Sequence, residues 1–125
     1  MYVRIRLNGY LRATECAMVN DAVPSFEQLQ TRTQEVFGVR PCLLQLKVVQ
    51  AILQGDKDVV TIAGTGMGKT LTFWMLLLFR PPGSVQIVVT PLNLIGKQNV
   101  LSLENVGIRA ICIFGDSATA KNFQV

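Results

Sequence analysis

Histidine is absent from the sequence, and cysteine occurs only as Cys16, Cys42 and Cys112. A chain without histidine builds no Cys/His zinc site, no serine-histidine triad and no cysteine-histidine dyad by itself. An odd number of widely spaced cysteines argues against a disulfide framework and fits reduced thiols, as in a cytoplasmic or nuclear protein. Long apolar runs are missing too. The longest, residues 71–79 with Thr72 inside it, falls well short of the ~20 residues a membrane span needs. Residues 1–11 alternate arginine with apolar side chains and lack the continuous apolar core of a secretory signal. Charge of one sign is only mildly in excess, +4, with Arg4, Arg6 and Arg12 unopposed near the start. Such an excess permits nucleic-acid binding without showing it. Acids are scarce after residue 70, where only Glu104 and Asp116 occur. The sequence also lacks an Asn-Lys-x-Asp guanine motif and the arginine cluster of a kinase lid, which weakens a small GTPase or kinase reading.

What is present centres on Ala63-Gly64-Thr65-Gly66-Met67-Gly68-Lys69-Thr70. It follows a β-branched run, Asp58-Val59-Val60-Thr61-Ile62, and precedes a nearly all-apolar segment, so the spacing predicts strand, loop and helix. Glycines at 64, 66 and 68 are expected to take φ values closed to other residues and to turn successive N–H groups toward a phosphate. Lys69 then reaches the β and γ phosphates, the Thr70 hydroxyl ligates magnesium, and the following helix adds its positive end. Position 63 carries Ala where the strict GxxxxGK[ST] pattern has Gly, a variant at a small-residue position. The competing reading is a glycine-rich turn with an incidental lysine.

Half of the 125 residues are hydrophobic. In a chain of one domain at most, that implies strands buried on both faces of a sheet. Ser25 with Gln28 forms a capping-box pattern opening a helix that ends at Gly38, with Phe26, Leu29, Val36 and Phe37 inward. A second helix starts near Pro41 and ends at Gly55, with Leu44, Val48, Ala51 and Ile52 on one face and Gln45 in its first turns. A helix over residues 69–80 is apolar all round and expected against the sheet, with Trp74 and Met75 read as core rather than base-stacking residues. Pro81-Pro82-Gly83-Ser84 stops it. Residues 86–90 form a strand, 93–103 a helix and 108–114 a third strand. The βαβαβ alternation predicts an α/β fold with a parallel sheet and flanking helices. The start is open to two readings: a strand at Val3, Ile5 and Leu7 turning at Asn8-Gly9 toward Tyr10-Leu11, or a flexible extension over residues 1–24. Residues 25–125 form the domain proper.

Phe37-Gly38, Arg40-Pro41 leading to Gln45, Gln54-Gly55 with Asp58, residues 63–70, and Val89-Thr90-Pro91-Leu92 leading to Gln98 resemble, in order and spacing, the Q motif, motif I and motif Ia of superfamily-2 DEAD/DEAH-type helicases. Pro91-Leu92 and Gly107-Ile108-Arg109-Ala110 are most similar to RecQ-like DNA helicases. The spacings from Pro41 to Gln45 and from Pro91 to Gln98 are more like DEAD-box RNA helicases. The resemblance implies a partial RecA-like domain that binds ATP and Mg2+, in a parent that unwinds DNA in the 3'-5' sense. It implies that Gln45, with Arg40 near, reads adenine, that Thr65, Gly66, Met67, Gly68, Lys69 and Thr70 hold the phosphates, and that Lys69 and Thr70 serve the chemistry. Thr90, Pro91, Lys97 and Gln98 would contact single-stranded nucleic acid, DNA before RNA. Without the family, Gln45 is a surface glutamine and Gln98 a solvated helix residue.

Such a motor also needs an acidic Asp-Glu motif and a second RecA-like domain. The expectation is therefore a fragment that stops before the Walker B strand and is inactive alone, with a truncated sheet edge that favours poor solubility. Asp116, after an apolar strand, could mimic the magnesium-binding aspartate, although a turn at Gly115-Asp116-Ser117 explains it more simply. Alternatives are a DEAD-box RNA helicase fragment and a non-hydrolysing nucleotide-binding interaction module.

Overall fold

The computed structural model describes residues 2–6, 23–115 and 118. The chain divides into two units, one of Ala17–Pro81 and one of Met1–Cys16 with Pro82–Val125.

The Ala17–Pro81 unit is helical. Helix α1, Phe26–Phe37, opens at Ser25, whose Oγ accepts from the Gln28 N–H at 3.2 Å while the Gln28 side chain accepts from the Ser25 N–H at 2.8 Å. It closes on Gly38 at φ 67°, the left-handed turn that favours glycine. Leu29 is fully buried, Phe26 and Phe37 pack at the edge of the core, and Thr33, which the apolar pattern omits, is buried with its hydroxyl donated to the Leu29 carbonyl at 2.6 Å. A threonine enters a helix core when its hydroxyl returns to the preceding turn.

Helix α2, Leu43–Gln54, begins two residues after Pro41 and ends at Gly55, φ 71°. Its inward face differs from the expected one. Gln45, Leu46 and Val49 are buried, whereas Leu44 is exposed and Val48 only half-buried. The stripe is rotated because this helix is apolar nearly all round, so periodicity alone does not select a face; packing against α3 does.

Helix α3, Lys69–Leu77, follows the glycine loop, and Leu71, Met75 and Leu76 join Leu29, Leu46 and Val49 in one core cluster. Met75 is fully buried and Trp74 lies beside Phe37 with ring centroids 5.6 Å apart, both in packing roles. The expected continuation to Arg80 tightens into i→i−3 bonds from Leu78, Phe79 and Arg80, because Pro81 disfavours helical geometry in the residue before it.

The other unit holds β1 (Tyr2–Arg6), β2 (Val85–Val89), α4 (Asn93–Glu104) and β3 (Arg109–Ile113). The sheet order is β2-β1-β3, with β1 antiparallel to both neighbours. The expected parallel pairing is thus not the pairing seen in the described sheet. Strands β2 and β3 do run in one direction, as a crossover through α4 requires, but β1 separates them. Helix α4 packs on β3 and β1 and buries Leu103, while Val88 and Ala110 are buried on the sheet. On the opposite face Ile87 and Val89 are 65% and 67% exposed.

Two further expectations meet the structure here. Residues 58–62 form no strand, and Val60 and Ile62 are 89% and 95% exposed. β-branched residues express their strand preference only through a partner, and these have none. At the chain start, Tyr2–Arg6 is a strand; the turn at Asn8-Gly9 and Tyr10-Leu11 lies outside the described residues, as does Asp116. Among the described residues no helix is long and apolar enough to cross a membrane.

Candidate nucleotide and nucleic-acid sites

The glycine loop leaves residues 64–69 exposed at the start of α3. Gly66 and Gly68 adopt φ 82° and 66°, a region costly for residues with a Cβ. Gly64 does not. A Cβ there would meet Met67 Sδ at an ordinary 3.7 Å, so the expectation of special φ holds for two of the three glycines.

Lys69 folds back over the loop. Its Nζ donates to the Ala63 carbonyl at 3.0 Å and the Gly64 carbonyl at 2.8 Å. The ammonium therefore sits within the bend of the backbone, at the start of a helix that has no side-chain cap. Thr70 is half-buried on the first turn.

Gln45 is buried, 7% exposed, and both ends of its amide are engaged. Its Oε1 accepts from the Cys42 N–H at 2.8 Å, and its Nε2 donates to the Gly68 carbonyl at 2.9 Å and reaches the Met67 carbonyl at 3.5 Å. The side chain ties the N-terminus of α2 to the loop. As a plain surface glutamine it would do none of this.

Arg40 is exposed, and its guanidinium faces the Gln30 amide, whose oxygen, in the orientation that satisfies both groups, accepts from Nη2 at 3.2 Å and from Nε. Sequence reasoning missed Cys42 and the carbonyls of Ala63, Gly64 and Gly68. The three-residue step from Cys42 to Gln45 repeats that from Ser25 to Gln28, but cysteine is not a residue type that announces a cap.

In the other unit, Thr90 and Pro91 connect β2 to α4, and the Thr90 hydroxyl donates to the Leu92 carbonyl at 3.2 Å. Lys97 and Gln98 are exposed on α4, with Lys97 Nζ 5.5 Å from the centre of the Phe114 ring. Cys112, half-buried on β3, has its thiol pushed above the ordinary range by burial, against the opposing charge of Lys97. Among the described residues no three His, Cys, Asp or Glu side chains converge as a metal site.

A glycine loop with two left-handed residues, a lysine curled over it and a helix starting from it are the parts of a phosphate-loop protein. Residues 42–125, more than half the chain, match the DEAD/DEAH box helicase family, and the chain belongs to that family. It is 32% identical over 90 residues to the Pre-mRNA-processing ATP-dependent RNA helicase prp5 of Botryotinia fuckeliana, covering 61% of this chain and 8% of that protein. It is 35% identical over 79 residues to the Bifunctional 3'-5' exonuclease/ATP-dependent helicase WRN of Mus musculus, covering 63% and 5%. A Pre-mRNA-processing ATP-dependent RNA helicase PRP5 of Pyricularia oryzae is 30% identical over 90 residues, covering 61% and 9%. The chain spans less than a tenth of the length of these relatives. No solved structure matches it. These matches do not separate RecQ-like DNA helicases from DEAD-box RNA helicases within the family.

Proposed function

We propose that this chain holds ATP with Mg2+ at residues 64–70 and contacts single-stranded nucleic acid through Thr90, Pro91, Lys97 and Gln98, as the ATP-binding part of a RecQ-like DNA helicase. The observation that carries the reading is the posture of Lys69, whose ammonium is held at the mouth of a loop with left-handed glycines at 66 and 68. The loop N–H groups and Lys69 supply donors to phosphate oxygens, and the Thr70 hydroxyl supplies a ligand to magnesium. Bound magnesium would offset the phosphate charge. Gln45, with Arg40 near, turns one end of its amide to adenine when it leaves the Gly68 carbonyl or the Cys42 N–H. The RecA-like reading of the fold, in which residues 58–62 pair as a strand ahead of the loop, belongs to the same proposal. So do a second motor domain in the parent protein and a nuclear or cytoplasmic setting.

Titration of the 125-residue chain with ATP and magnesium tests this. Binding should be weak in the wild type and lost in Lys69→Ala, and equal affinities would refute the assignment. Hydrolysis by the chain alone should be negligible; turnover stimulated by single-stranded DNA would overturn the reading that its acidic motif lies elsewhere. A second reading, an RNA helicase, is favoured by the prp5 relatives and by the Pro41 to Gln45 spacing. Competition between single-stranded DNA and RNA of equal length separates the two.

A further inference from the structure

Strands β2 and β3 run in one direction, so their C-terminal ends lie along the same edge of the sheet. Thr90 and Pro91 follow β2 at that edge, α4 starts from it, and Phe114 is the first residue after β3. The topology thus brings Phe114, an aromatic residue that no motif announces, to the edge that carries the proposed nucleic-acid contacts.

Lys97 stands about 6 Å along the axis of α4 from its first residue, Asn93. Its Nζ lies over the half-buried Phe114 ring, 5.5 Å from the ring centre. That is inside the range of about 6 Å at which an ammonium is drawn to the negative face of an aromatic ring. The same charge bears on the Cys112 thiol, two residues earlier on β3, so the side chain leans from the helix toward the strand. Among the described residues Lys97 forms no ion pair.

The kind of neighbour matters. An exposed lysine visits many rotamers, and a phosphate that binds it must give up that freedom on its behalf. A carboxylate would gather the side chain but cancel the charge that a phosphate seeks. A neutral ring gathers it and leaves the charge whole, with ammonium N–H groups turned away from the ring face as donors.

We propose that Phe114 is a positioning residue for single-stranded nucleic acid: its ring holds the Lys97 ammonium at the edge shared with Thr90 and Pro91, set to meet a backbone phosphate. This rests on the reading of Lys97 as a nucleic-acid contact. Phe114 itself makes no base contact.

Fluorescence anisotropy of the full chain with a labelled oligothymidylate, repeated over a range of salt concentrations, tests this. Lys97→Met should weaken binding and lower the log-log salt slope by about 0.7, the share of one phosphate on a single strand. Phe114→Leu keeps apolar bulk and the lysine but loses the ring, and should weaken binding about two- to fivefold with the slope unchanged. In a Lys97→Met background the same change should have no further effect. Phenylalanines of increasing ring fluorination at position 114 keep the shape while draining the negative face, and affinity should fall stepwise along them. Phe114→Tyr, which keeps the face, should restore binding. Oligouridylate should give the same ratios, since the contact is with phosphate.

Full affinity in Phe114→Leu, or no trend with fluorination, overturns the proposal and leaves Lys97 standing as a phosphate contact. An equal loss with and without Lys97 would show that the ring only packs, and a loss confined to one polymer would show that it touches bases; either refutes the positioning role. Unchanged affinity and slope in Lys97→Met overturns the reading of Lys97 itself, and the proposal falls with it. If Phe114→Leu does not fold, the fluorinated series decides.

Discussion

Gly68→Ala probes the join between Gln45 and the glycine loop. Two costs are expected. An alanine held at the φ of 66° seen for Gly68 costs about 1–2 kcal/mol relative to glycine. Its Cβ would also stand 2.5 Å from Gln45 Nε2, too close to remain. That nitrogen is the far end of a side chain and can swing away, but it then loses its 2.9 Å bond to the Gly68 carbonyl, worth about 1 kcal/mol. The total is about 2–3 kcal/mol. In a Gln45→Ala background the second cost vanishes, because no amide remains to be displaced and the exposed Cys42 N–H is taken by water. There Gly68→Ala should cost only about 1–2 kcal/mol. Urea unfolding of wild type, both single variants and the double variant, followed by circular dichroism, measures the difference. A coupling of about 1 kcal/mol exceeds the few tenths by which independent sites deviate from additivity. Equal costs in both backgrounds would show that the amide does not bear on the loop and would refute the link between α2 and the glycine loop.

Gly64→Ala, at a position with ordinary φ where a Cβ would make only an ordinary contact with the Met67 side chain, should cost less than about 1 kcal/mol in the same assay, so that the glycines at 64 and 68 separate clearly. Leu29→Ala empties a fully buried site beside Leu46, Val49 and Met75 and should lower stability by about 2–5 kcal/mol, seen as a large drop in urea midpoint. The Cys112 thiol is raised in the folded chain, so the folded state keeps its proton where the unfolded state loses it. Stability from this source is full below the ordinary thiol range and declines as pH rises through and above it. Cys112→Ala should remove that alkaline decline, and an unchanged pH profile would count against the burial effect.

Caps and breakers were the most legible parts of the fold. Ser25 with Gln28, Gly38, Gly55, Pro81 and Gly107 all mark boundaries through local chemistry that needs no distant partner. The strands after residue 84 and helix α4 fall within a residue or two of the expected limits. What sequence could not supply was pairing. Residues 58–62 and Tyr2–Arg6 are both β-prone, yet only Tyr2–Arg6 is paired as a strand, because pairing depends on partners distant in sequence and not on propensity. The inward face of α2 was obscured for a related reason, since an apolar surface all round leaves the choice to α3. At the site, Lys69 and the loop could be read from residue types, whereas the double engagement of Gln45 depends on a carbonyl 23 residues away in sequence.

On the proposed reading of the loop, the hold of Lys69 on the carbonyls of Ala63 and Gly64 would make phosphate binding an exchange of partners. The ammonium does not wait free in solvent; it already closes a ring of backbone and side chain around the loop. An incoming phosphate therefore gains a cation only to the extent that two carbonyl oxygens give one up. Counting the new contacts will overstate the net heat of binding, and part of the ordering entropy of the loop has been spent before any nucleotide arrives. For the same reason Lys69→Ala should act twice, taking a charge from the proposed ligand and a clasp from the loop. The loop should consequently become more mobile in that variant even when no anion is present.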